Sequence, residues 1–189
     1  MQKKLRYAAF AGIIYLVSFL PELILETQSE YGQSNDFTST LLIITYVVSA
    51  LSTVLFYYGF IVIGKKFENN LLIVGSTIII LTTIFYYLYS WYTLDLVNSE
   101  EEVFGVSVLL LYGFSGIVFG LGLYKMREVL GKLALSAAIL EFVVGFFLIT
   151  VVLFFVGMII SIPTTILEIL LLLKTAKLDI FKDNSVNVV

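Results

Sequence analysis

Apolar residues in this chain gather into long runs, and polar residues collect in the short gaps between them. A helix that spans about 30 Å of hydrocarbon needs roughly 20 residues at about 1.5 Å per residue. Runs of that order extend over residues 7–25, 38–63, 71–94 and 103–124, the first interrupted late by Pro21 and Glu22. The stretch from Leu133 to Leu173 carries no basic residue and is too long for one crossing. It divides into two helices, 133–153 and 157–173, if a tight turn falls near Phe154–Gly157, with Pro163 early in the second. Glycine and proline mark such junctions. The pattern therefore predicts an all-α fold: a polytopic transmembrane helical bundle of six helices, forming one transmembrane domain over residues 1–189.

The basic residues test this threading. With the N-terminus in the cytoplasm, Lys3, Lys4 and Arg6 lie inside, as do Lys65 and Lys66, then Lys125, Arg127 and Lys132, and finally Lys174, Lys177 and Lys182. These are all 11 Lys and Arg of the chain. The opposite loops hold Glu26, Glu30, Asp36, Asp95, Glu100, Glu101 and Glu102 and no basic residue. Cytoplasmic loops are enriched in Lys and Arg, so the expected topology puts both termini in the cytoplasm. The first run exceeds the roughly 7–15 apolar residues of a signal peptide and ends in Pro-Glu without a small-x-small site, so it is expected to remain as a helix.

Composition narrows the chemistry. Hydrophobic residues make up 60% and charged residues 13%, where soluble domains average about 25% charged. A chain of 189 residues has no core large enough to hide that apolar surface, so the expected solvent is a bilayer, here the plasma membrane. With no His and no Cys, an imidazole base, a thiolate nucleophile, a Cys/His zinc site and His- or Cys-ligated haem are all excluded. No loop has room for a soluble catalytic domain. The expectation is a protein that is not an enzyme, uses no cofactor or metal, and binds no nucleic acid.

Two stretches share a design: FYYGFIVIGKKFENNLL at 56–72 and GLGLYKMREVLGKLALSAAILE at 120–141. Each places glycine before a short apolar run, then basic residues, then a helix that re-enters the membrane. An internal duplication would give this pattern, and so would the composition bias of any two inward hairpins. The stretches resemble small uncharacterised multi-pass membrane proteins of archaea. That resemblance implies a helical bundle in the plasma membrane and carries no activity and no functional residue.

Two intramembrane carboxylates are the leading site candidates, because acids at membrane depth normally face protein or water and often serve function. Glu141 shares a helical face with Ala134, Ala138 and Gly145; Glu168 shares one with Ser161 and Thr164 or Thr165. A turn centred near residues 154–155 sets the two acids at one depth, where they could share a proton or hold a cation; the alternative is a pair that serves packing. Glu22 and Glu26 suggest an outer acidic rim, read either as a cation-attracting vestibule or as ordinary loop acidity. Gly113, Gly116 and Gly120 form a small-residue stripe, for packing within the bundle or against a second copy. Tyr86, Tyr87, Tyr89, Trp91 and Tyr92 are expected at headgroup level. The expected function is a non-catalytic accessory or organising bundle whose partners are lipid, other membrane subunits or a homo-oligomer; the alternative is a small proton- or cation-linked transporter or channel using Glu141 and Glu168.

Overall fold

The computed structural model describes residues 1–30, 36–93 and 100–178. Asp95, Lys182 and the side chains of Glu30 and Glu100–Glu102 lie outside the described residues. Seven helices are described: α1 Gln2–Glu30, α2 Asp36–Lys66, α3 Asn70–Thr93, α4 Glu100–Lys125, the short α5 Arg127–Leu130, α6 Lys132–Ile149 and α7 Phe154–Thr175. All but α5 are long and apolar enough to cross a membrane. Successive long helices pack on one another, and α1 also packs on α7, which closes them into a ring. The alternation puts every described Lys and Arg at one end of the bundle, called here the basic end, and Glu22 and Glu26 toward the other, acidic end.

An aromatic cluster lies within the core. Phe60 and Phe119 meet edge to face across the ring at 5.0 Å, and Tyr57 meets Phe119 at 5.4 Å. Phe56 packs edge-on against Phe60 at 5.5 Å. Leu5, Ile63, Leu72, Leu123 and Leu172, toward the basic end, are fully buried. In a bilayer the lipid is as apolar as leucine, so close backbone approach must hold the helices together. At the α3–α4 crossing, a Cβ on Gly75 would lie 2.6 Å from the Phe119 nitrogen, and one on Gly122 would lie 2.6 Å from the Leu72 nitrogen. Asn69 locks the same crossing. Its Oδ1 accepts from the Leu72 N–H at 3.3 Å, capping α3, and its Nδ2 donates to the Gly122 carbonyl at 2.8 Å.

The structure departs from the sequence expectation at two places, the end of α1 and the α6–α7 turn. Helix α1 continues past Pro21 to Glu30 instead of stopping near Leu25. Pro163 sits on the exposed side of an unbroken α7. There Thr164 and Thr165 donate to the carbonyls of Ile160 and Ser161, supporting the turn where proline removes a donor. The α6–α7 turn spans Thr150–Leu153, ahead of the expected Phe154–Gly157. Gly157 lies buried in α7, where a Cβ would be 3.3 Å from Phe147 Cβ, so its small size serves helix packing. The turn itself places Val151 in the left-handed region at φ 55°.

Candidate functional site

Glu141 is buried and Glu168 fully so. The earlier turn sets Glu168 nearer the basic end than Glu141, as the Lys174–Leu130 contact at the end of the same hairpin also requires. Helical side chains lean toward their own N-terminus, and α6 and α7 run in opposite directions. Glu141 therefore leans toward the basic end and Glu168 toward the acidic end, which brings the two carboxyl groups close enough to interact directly. Neither Glu168 oxygen receives a hydrogen bond from a donor. Lys174, on the same helix as Glu168, is turned away and donates to the Leu130 carbonyl at 2.6 Å. The hydroxyls of Thr164 and Thr165 are committed to their own helix.

The glycine stripe of α4 makes room for this pair. A Cβ on Gly116 would lie 3.0 Å from Glu141 Oε2, and one on Gly120 would lie 3.1 Å from Glu141 Cβ. Gly113 meets α6 at Gly145 and Ile149. The stripe is therefore occupied within the chain. Tyr15 and Tyr57 lie close enough to feel the charge of both carboxyl groups, and Tyr15 also feels Glu22 and Tyr112.

Glu22 and Glu26 are more than a rim. Ser49 Oγ lies 2.6 Å from Glu22 Oε2, and the Tyr87 hydroxyl lies 2.9 and 3.1 Å from its two oxygens. Glu26 Oε1 accepts from Tyr46 at 2.9 Å and from Tyr86 at 3.0 Å. Sequence reasoning assigned Tyr86 and Tyr87 to the headgroup level; both turn into the bundle, because Glu22 and Glu26 on α1 offer acceptors there. Trp91 and Tyr92 stay exposed. Tyr46, Ser49 and Ser18 were missed. Tyr46 and Ser49, three apart, share one face of α2, as Glu22 and Glu26, four apart, share one face of α1, and that was the available signal.

The fold and site define a small integral membrane protein with ionisable groups in its interior: a carboxyl pair deep in the bundle and a hydroxyl-bound carboxylate toward the acidic end. The chain has no significant match among protein-family models, curated proteins or solved structures.

Proposed function

We propose that the chain is a non-catalytic, proton-linked transport protein of the plasma membrane, with Glu141 and Glu168 as its proton site. The observation that carries this reading is the pairing of two buried carboxyl groups, one with no donor on either oxygen. Two ionised carboxylates in contact, away from water, are costly. One shared proton turns that repulsion into an acid–carboxylate hydrogen bond. A hard metal cation such as calcium takes about 6–8 oxygens, far more than this pair supplies, whereas a proton needs only the two carboxyl groups. Ionisable groups at this depth are costly and normally face protein or water, which suits a group that must gain and lose a proton.

The test is proton uptake by vesicles that contain the purified protein and an internal pH indicator, driven by an imposed membrane potential. The unmodified protein should acidify the vesicles, and Glu141→Gln and Glu168→Gln should each abolish the flux while folding normally. Vesicles of unmodified protein as tight as protein-free vesicles would leave the accessory or organising bundle as the function.

A further inference from the structure

We infer that Glu22 is a second proton-binding site, distinct from the deep pair and set toward the acidic end. The inference rests on a count of hydrogens. Ser18 Oγ donates to the Tyr15 carbonyl at 2.9 Å. Ser49 Oγ lies 2.9 Å from Ser18 Oγ and 2.6 Å from Glu22 Oε2. Each serine has one hydroxyl hydrogen. With the Ser18 hydrogen on the Tyr15 carbonyl, the single Ser49 hydrogen must serve two neighbours. Three contacts thus share two hydrogens.

A proton on Glu22 Oε2 supplies the third. Glu22 then donates to Ser49, Ser49 donates to Ser18, and Ser18 donates to the Tyr15 carbonyl. Tyr87 still donates to Oε1, at 2.9 Å. Without that proton, one link of the chain is unfilled whichever way the hydroxyls rotate.

The groups facing Glu22 fit this role. They are Glu26 and Tyr15 on α1, Tyr46 on α2, Tyr86 and Tyr87 on α3, and Tyr112 on α4, with Glu168 of α7 beyond Tyr15. The described Lys and Arg are all at the opposite end. The chain of contacts ends at the Tyr15 backbone, and the Tyr15 hydroxyl feels the charge of Glu22 and of both acids of the deep pair. Service of Glu22 as the station that loads Glu141 and Glu168 rests on the transport reading above; the proton of Glu22 itself does not.

The experiment is infrared difference spectroscopy of the purified protein in nanodiscs between alkaline and acidic pH, following the protonated-carboxyl C=O band and its shift in heavy water. Glu22→Gln should remove one component of the band, and Glu168→Gln should leave that component in place while removing another. Ser49→Ala, which deletes the acceptor of the Glu22 proton, should shift the frequency of the Glu22 component alone, and this variant answers the question if Glu22→Gln fails to fold. A band unchanged in Glu22→Gln, or unshifted in Ser49→Ala, would overturn the inference. Failure of the deep pair reads out separately, as flux indifferent to Glu168→Gln with the Glu22 component intact.

Discussion

Gly116 leaves room for the Glu141 carboxyl group: a Cβ there would stand 3.0 Å from Oε2. That contact ties the glycine stripe of α4 to the interior site. Gly116→Leu must push α6 away or displace the carboxyl, and overpacking of this kind costs about 1–3 kcal/mol. Gly105, on the same helix, has nothing within 4 Å of its Cβ position. Gly105→Ala should therefore stabilise the helix by about 0.4–1 kcal/mol. Thermal melting in detergent should move in opposite directions for the two variants. Melting that is unchanged in Gly116→Leu would contradict the packing seen between α4 and α6.

Topology is open to chemical labelling because the chain contains no cysteine. Asn69 is unsuitable as a probe position, since it is buried and bonded to the Gly122 carbonyl. Lys66 and Asp36 are exposed at opposite ends of α2. The distribution of basic residues predicts that Asp36→Cys reacts with an impermeant thiol reagent in intact cells and that Lys66→Cys does not. Labelling in the reverse pattern would invert the proposed orientation.

Asn69→Ala should be costly although it touches no acid. It removes the cap of α3 and leaves the Gly122 carbonyl without its donor at the close α3–α4 crossing. Loss of a buried partner costs about 1–3 kcal/mol and loss of a cap adds about 1 kcal/mol. Asn69→Asp retains the capping acceptor and loses only the donor, so it should melt between the two. Equal melting of Asn69→Ala and the unmodified protein would refute this account.

How far the sequence reached is clearest at the acids. Length and hydropathy were enough for the six long helices, because a bilayer imposes one length scale on every crossing. The meeting of Glu141 and Glu168 was legible from an antiparallel hairpin, yet the reason was incomplete. The turn lies at Thr150–Leu153, and opposed side-chain lean closes the resulting offset. Gly157 misled because glycine marks turns and also permits close packing, and local sequence does not separate the two. Tyr86 and Tyr87 misled in the same way. A tyrosine near a helix end suits the headgroup layer unless a neighbouring helix offers an acceptor, and Glu22 and Glu26 lie far away in sequence.

Glu168→Gln separates stability from function. In the unmodified protein both Glu168 oxygens lack a donor, and the group interacts with another acid, Glu141. The Gln amide has two N–H donors in almost the same shape, and one of them can serve the Glu141 carboxylate. The hydrogen bond between the pair then needs no shared proton, so the melting temperature should hold or rise. Proton uptake should disappear, because an amide neither gains nor loses a proton in this range. Glu168→Ala provides the contrast: it creates a cavity beside an unpaired acid and should melt lower. A site that exists for packing would show parallel losses in Glu168→Gln and Glu168→Ala. A proton site, held at some cost to stability, should show Gln as stable as the unmodified protein and inactive.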